Sequence, residues 1–384
     1  MFDLGPPTSR VSKAFLSGRT VRRGWGQSLI IVILWRIRTP WRDARSVTES
    51  HKCGRRMGDV VVAPPASLNV GLFGTNPEIL RLLGAGLGKK GTESDLRFWN
   101  RKERDLAVTA IAPIPFPERI VPMLQVASLC DYPVLVANAL DAPLGEMVLA
   151  LAATRKPGLV IVTDPEIAER VHRIVRERLR GWVTMEWSGE ESVRRVRDLL
   201  PGVSVPRETG GPCTVVLDHA FDARGVGTVA LGFVRRGILR VHEELTLLPL
   251  DRTVAVRSIQ RFDEDQAEAA AGSRVGVALR DVEAHEIERG SLLTSDLTIL
   301  ARPVLEVRPF ARSEFSRDPL GSGTRGFHLL CGTYVRPVVV NEAGPSLWVT
   351  ADSPVPAVPG ELSFLVSLRG PGTLRIAGHG PLAP

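Results

Sequence analysis

The four cysteines of the 384-residue chain, Cys53, Cys130, Cys213 and Cys331, stand far apart, with no C-x-x-C pair and no histidine at ligand spacing. This excludes a zinc site and a disulfide framework of the usual kinds, and a reduced, cytoplasmic compartment is expected. Net positive charge is absent from most of the chain. Residues 1–56 hold 12 Lys and Arg against 3 Asp and Glu, a net of +9, whereas residues 57–384 hold 37 against 39, a net of −2. The basic balance therefore says nothing about the partner of the main body. The first segment also lacks a membrane span, because its one apolar run, "LIIVILW" at 29–35, is far below the ~20 residues a bilayer requires. No signal peptide is expected either, since "RIRTPWR" follows the run where a small-residue cleavage site belongs. Three readings of residues 1–56 remain: a disordered basic arm touching nucleic acid or membrane, a poorly formed targeting segment, and an over-extended start with Met57 as the true first residue. The last is favoured, because nothing upstream of Met57 shows sustained periodicity.

The order present begins near residue 67. "LNVGLFG" (68–74), "LAVTAIA" (106–112), "YPVLVANA" (132–139), "GLVIVT" (158–163) and "GWVTME" (181–186) are short, apolar and β-branched, as strands buried on both faces should be. Helical stretches lie between them. In "TDPEIAERVHRIVRERLR", Thr163 or Asp164 can cap, Pro165 suits the first turn, and Ile167, Val171, Ile174, Val175 and Leu179 form an apolar stripe. "GEESVRRVRDLL" gives a further amphipathic helix. The alternation predicts an α/β domain with an open, mostly parallel sheet over 57–204. At "PGVSVPRETGGPC" the grammar changes, and short strands with turn signals predict an antiparallel β barrel over 205–297. Residues 298–384, rich in Pro and Gly, predict a second barrel.

"GLGKKGTES" at 86–94 raises the possibility of a phosphate loop, but G-x-x-x-x-G-K-[ST] is not met: the first glycine falls on Leu83 and Lys90 stands where the hydroxyl belongs. A glycine-rich surface turn is the expectation. "DEDQAEAA" (263–270) reads as a solvated turn, since no glycine or terminal glutamate completes a calcium loop. The basic face of "HRIVRERLR" is interleaved with acids and reads as a solvated helix.

"NVGLFGTNPEILR" stands where the first strand and phosphate loop of a nucleotide-binding domain would be. Together with the domain plan it resembles the translational GTPases, the group of elongation factor Tu and the selenocysteine-specific elongation factor. Asn69, Val70, Gly71 and Gly74 match the family's first strand, N-V-G-x-x-G. Where the family has its second Gly, Lys and Thr, this chain has Ile79, Leu80 and Arg81. Counting back from "CDYPVLVANA" places the family's D-x-P-G-H on residues 112–116. The Mg²⁺-side carboxylate becomes Ala112, the γ-phosphate glycine becomes Pro115, and the water-positioning histidine becomes Phe116. The guanine-reading N-K-x-D becomes Thr163, Asp164, Pro165 and Glu166. The resemblance thus implies a degenerate G domain without GTP hydrolysis, followed by two barrels. No cofactor is expected, GTP and Mg²⁺ entering only if an unconventional loop such as that with Lys89 and Lys90 binds nucleotide.

The second domain carries the resemblance furthest. F-x-x-x-G-x-G-T-V-x-x-G-x-V-x-x-G, then R-S-I-Q, A-G-x-R-V-G and E-R-G recur in order over about eighty residues, 214–294. Gly225, Gly227, Gly232 and Gly237 are expected at bends, with Val229, Val234, Leu239 and Val241 facing the core. His242-Glu243 stand where the family often has Gly-Asp. In the selenocysteine-specific branch the aminoacyl-end pocket is built from an Asp, a neighbouring Arg or His, and an Arg in the A-G-x-R motif. Asp218, His219 and Arg274 match those places, and an Asp218–Arg274 salt bridge closing the barrel is the plainer alternative. "FHLLCGTYVRPVVV" resembles the branch's third-domain strand pair through His328, Gly332, Thr333 and Val335. The implied partners are an aminoacyl-tRNA or other RNA, and the ribosome or a translation factor, with neither membrane nor DNA. A regulatory partner of a true elongation factor is a further possibility.

Overall fold

The computed structural model describes residues 66–103, 105–370 and 373–384; residues 1–56, and with them the question of Met57, lie outside the described residues. Seven strands form the first sheet: β1 (Ala66–Phe73), β2 (Lys89–Glu93), β3 (Leu96–Lys102), β4 (Leu106–Pro113), β5 (Tyr132–Ala137), β6 (Leu159–Val162) and β7 (Val183–Glu186), in the order β2-β3-β4-β1-β5-β6-β7. From β4 to β7 every pairing is parallel, whereas β2 and β3 run antiparallel. The apolar runs are continuous because both faces are covered. In β6, Leu159 and Ile161 pack under α1 (Pro77–Leu87) and α5 (Glu190–Leu199). The intervening Val160 and Val162 pack under α2 (Ile120–Leu129), α3 (Ala142–Thr154) and α4 (Pro165–Arg178).

Two expectations are corrected at this sheet's edge. Gly86 and Leu87 belong to the last turn of α1, and Lys89–Glu93 is an edge strand paired with β3, not a surface turn. Residues 96–102 also form a strand that the sequence reading passed over. Its Phe98 and Trp99 insert into opposite cores, which holds the strand despite its charged neighbours. Gly84 makes room for Trp99, since a Cβ there would lie 2.3 Å from the indole ring.

The second unit contains β8 (Thr214–Ala223), β9 (Gly227–Arg236), β10 (Ile238–Arg240), β11 (Glu244–Leu248), β12 (Arg252–Arg261), β13 (Glu264–Gln266), β14 (Glu268–Ala270), β15 (Arg274–Leu279) and β16 (Leu292–Thr294), seven of which form the second sheet. Its order is β11-β16-β8-β9-β15-β12-β13, and because β11 also pairs with β12, hydrogen bonding runs round a closed ring of six strands. β10 and β14 form a separate ribbon. "DEDQAEAA" therefore supplies two short strands, correcting the solvated turn, although most of its side chains remain exposed. Val234 and Leu239 are in the core as expected, but Val229 is only half-buried, because Thr228 and Ala230 take the inward positions on β9. Gly232 is not at a bend either. It sits mid-strand, where a Cβ would come within 2.5 Å of the Val216 carbonyl oxygen.

The third sheet is antiparallel: β17 (Leu300–Val307), β18 (Ala311–Arg312), β19 (Thr324–Cys331), β20 (Tyr334–Ala343), β21 (Leu347–Ala357), β22 (Leu362–Ser367) and β23 (Ile376–Pro381), ordered β17-β21-β20-β19-β22-β23-β18. A bridge from Val307 to Leu382 joins its far ends, around a core that includes Leu305, Phe327, Tyr334, Val349 and Leu365. The architecture is thus an α/β domain followed by two antiparallel β units. Among the described residues no helix is long and apolar enough to cross a membrane.

Buried polar contacts tie the three units together. Asn69 donates to the Gly272 carbonyl at 3.1 Å, Gln125 to the Thr333 carbonyl at 2.8 Å, and Arg207 pairs with Asp131. Arg375 and Glu146, 1% and 2% exposed, pair at 2.6 Å.

Candidate functional site

Only Gly74, Thr75 and Asn76 separate β1 from α1. The amides at a helix start are the natural donors to a phosphate, but here they are already engaged. Asn76 Oδ1 accepts from the amides of Glu78 at 3.1 Å and Ile79 at 3.2 Å, and the Asn76 carbonyl accepts from Leu80 N–H. Pro77 has no N–H to offer, and Glu78 puts a negative charge in the first turn. Ile79 is half-buried, Leu80 packs in the core at 6% exposure, and Arg81 points outward.

The other positions matched to the family's nucleotide motifs have become structural. Ala112 is buried in β4, Phe116 lies in the core with Leu96 and Ile120, and Pro115 is half-buried between them. Asp164 caps α4 by accepting from Glu166 N–H at 2.9 Å, and Thr163 N–H donates to the Ala137 carbonyl.

Asp218 and Arg274 are brought together. The β8–β9 register shifts between Leu217 and His219, so Asp218 is the extra residue of a bulge, and bulges re-aim side chains. It is buried at 4% and pairs with Arg274 Nη2 at 3.2 Å. Its Oδ1 and Arg274 Nη1 are both buried without a hydrogen-bond partner. The α/β domain covers the pair: the Arg274 guanidinium lies 3.4 Å from the centroid of the Phe98 ring, and Nη2 also reaches Thr92 Oγ1 at 3.2 Å. Burial pulls the Arg274 pKa down from its ordinary value, against the Asp218 charge. His219 does not join them. It is exposed and contacts the Phe221 ring at a centroid distance of 5.9 Å.

Arg289, read from sequence only as part of the E-R-G barrel motif, organises the same junction. It donates to the Asp218 carbonyl, to Gln125 Oε1 and to Ser94 Oγ, and pairs with Asp95 at 2.6 Å. Burial works to raise the Asp95 pKa, but Arg289 and the hydrogen bonds outweigh it and hold the carboxyl below its usual value.

Beside Arg274 a cleft of about 800 Å³ opens between the β2–β3 edge and the second sheet. Six cations line it: Lys89, Lys90, Arg101, Lys102, Arg197 and Arg274. Lys90 pairs with Glu93, Lys102 with Glu264, and both Arg101 and Arg197 with Glu103. With Asp263, and with Asp218 paired to Arg274, that makes five carboxylates, so an excess of one positive charge faces the cleft. Arg101 Nε and Nη1 are buried without hydrogen-bond partners. Phe262 offers an aromatic ring, and Asn100 and Gln260 offer amides. Such a surface suits a phosphodiester chain with an unstacked base.

Comparison with known proteins agrees with this architecture. Residues 227–294 match the family described as elongation factor Tu domain 2. The chain is 33% identical over 239 residues to an uncharacterized protein of Methanocaldococcus jannaschii, covering 62% of this chain and 75% of that one. The chain belongs to the elongation factor Tu-like branch of the translational GTPase superfamily. Within that branch it is related to the selenocysteine-specific elongation factor: that of M. jannaschii is 30% identical over 232 residues, 55% of this chain and 50% of the factor. The chain therefore spans about half the length of that relative. Translation elongation factor SelB from Methanococcus maripaludis, solved with the GTP analogue GppNHp, superposes with a TM-score of 0.71 at 25% identity over 84% of this chain and 80% of its own. A bacterial selenocysteine-specific factor, EF-Sec, shares the fold with a TM-score of 0.67 at 15% identity, over 82% of this chain and 58% of its own.

Proposed function

We propose that this translation-factor relative binds the aminoacyl end of a tRNA, or another RNA of the translation machinery, in the basic cleft, without GTP hydrolysis. The observation that carries the reading is a contrast: the amides of the β1–α1 junction are capped by Asn76, while at the cleft Arg101 and Arg274, though ion-paired, keep buried guanidinium nitrogens without a hydrogen-bond partner among the described residues. Phosphates would meet Lys89, Lys90, Lys102 and Arg197 at the cleft wall. Asp218 Oδ1 and Arg274 Nη1 are a matched acceptor and donor for the ammonium and the ester carbonyl of an aminoacyl group. Their cover is Phe98, so the terminal group would have to displace that ring to reach them.

The test is fluorescence anisotropy with acylated and deacylated tRNA over a salt series. Arg274→Ala and Asp218→Ala should weaken binding of the acylated form by about tenfold or more. Lys89→Ala with Lys90→Ala should flatten the salt dependence by about two phosphate contacts. Unchanged affinity in all variants would refute the site.

A second reading, a nucleotide held unconventionally, draws on the same cleft, since Lys89, Lys90, Phe262, Asn100 and Gln260 suit a mononucleotide as well as an RNA end. Calorimetry with GTP and GDP in Mg²⁺ separates the two: micromolar binding favours the nucleotide, and no heat favours RNA alone.

A further inference from the structure

A second cavity, of about 200 Å³, lies where the three units meet, and the proposed RNA contacts do not touch it. The end of α2 contributes Ser128, β9 contributes Arg235 and Arg236, and the third sheet contributes Thr333 and Glu361. Its polar groups are incompletely satisfied. Thr333 is 3% exposed, yet its hydroxyl has no hydrogen-bond partner. Arg236 pairs with Asp296 through Nη2, but its buried Nε is also unpartnered. Arg235 donates to the Ser128 carbonyl at 3.1 Å and stands 3.8 Å from Glu361, the cavity's own carboxylate.

The same Ser128 carbonyl accepts from Lys156 Nζ, whose other partners are the carbonyls of Ala127 and Cys130. Lys156 stays outside the lining, where Arg235 and Arg236 stand against Glu361 and the Asp296 partner of Arg236. Buried donors in native proteins are nearly always satisfied by protein, water or ligand. The cavity is several times the ~30 Å³ share of one water molecule. An oxygen-rich anion would accept from Arg236 Nε and the Thr333 hydroxyl, with the Arg235 guanidinium beside it.

We propose that this three-way junction is a binding site for a small oxyanion of phosphate or carboxylate size, which clamps the three units to one another. Because the ligand would touch side chains from two units and neighbour the third, its binding should stabilise the assembled chain in proportion to its occupancy.

Thermal unfolding and calorimetry of the full chain with inorganic phosphate, against sodium chloride at matched ionic strength, test it. Phosphate should raise the midpoint in a saturable way that chloride does not reproduce. Thr333→Val, which keeps the shape and removes the hydroxyl, and Arg235→Gln should each weaken the apparent affinity by about tenfold. A Lys89→Ala/Lys90→Ala/Lys102→Ala variant should keep the phosphate response while losing RNA. A flat titration overturns the proposal and leaves the junction to water. A response lost with the cleft lysines and kept in Thr333→Val and Arg235→Gln overturns it too, without harming the RNA reading.

Discussion

The buried pair between α3 and the third sheet invites a quantitative test. Arg375 donates to Glu146 from its backbone N–H at 2.8 Å, from Nε at 2.9 Å and from Nη2 at 2.6 Å, and its Nη1 reaches the Glu118 carbonyl at 3.2 Å. Both side chains are sealed from water. Glu146→Gln leaves a buried guanidinium without its counter-charge, a defect that costs about 3–5 kcal/mol. That is a large part of the ~5–15 kcal/mol that holds a typical protein folded. The double variant Glu146→Leu/Arg375→Met removes both charges and should recover at least half of the loss. Full recovery is not expected, because the backbone N–H of Arg375 still lacks its acceptor, worth about 1–3 kcal/mol.

Urea unfolding followed by two probes supplies the assay. Among the described residues the α-helices belong to the first unit, so far-ultraviolet dichroism follows that unit, while amide hydrogen exchange of β19–β22, read by mass spectrometry at each urea concentration, follows the third sheet. The transitions should coincide in the parent chain and separate in Glu146→Gln as the two units uncouple. A loss below about 1 kcal/mol in the single variant, or a double variant as unstable as the single, would refute the reasoning. The pair bears on function as well: any nucleotide-driven rotation of the α/β domain would have to break it.

Gly84→Ala should destabilise by about 1–3 kcal/mol, because the new methyl strikes the Trp99 ring; an exposed helical glycine would instead gain stability from alanine, so the sign measured by urea unfolding decides. Asn76→Ala should cost about 1 kcal/mol as a lost cap and still give no heat with GTP, whereas gained nucleotide binding would show that the cap alone blocks the site. Burial depresses the pKa of His328 below 6.5, opposed by Asp352, and burial and then Arg155 depress that of His379. The folded state therefore holds fewer protons than the unfolded one, and stability should be constant above about pH 6.5 and fall as pH drops through the folded values. His328→Gln with His379→Gln should flatten that fall; an unchanged pH profile by thermal unfolding would reject it.

Strands apolar on both faces are legible in the sequence, such as Leu159–Val162, where all four side chains are buried, but residues 181–186, read the same way, form the edge strand β7 with Val183 exposed. Residues 89–93 contain no large apolar residue and are wholly exposed, so their strand exists only because β3 lies alongside. β3 itself carries its signal in Phe98 and Trp99 alone, flanked by Arg97, Arg101 and Lys102. The site was legible to a similar degree. Asp218 and Arg274 follow from motif order, but Thr92 lies 182 residues from Arg274, and Ser94 lies 195 from Arg289. No local pattern announces contacts made across such separations. His219 illustrates the converse error, because adjacency in a strand places neighbouring side chains on opposite faces, and only Asp218 turns inward.

The degeneracy of the nucleotide motifs and the retention of the α/β domain have one physical explanation. The positions that would serve GTP now serve packing and capping: Phe116 fills the core, Asn76 and Asp164 close helix starts, and Leu80 sits under β5. Meanwhile Asn69, Gln125, Asp131 and Glu146 on this domain each reach a partner in a later segment of the chain. Those contacts fix where the β2–β3 edge stands against Arg274, and that placement forms the cleft. The α/β domain is thus needed for the geometry of the cleft, whatever it does with nucleotide. The wall of the cleft is half its own, so the second sheet alone would present Arg274 without Phe98, Lys89 or Lys90.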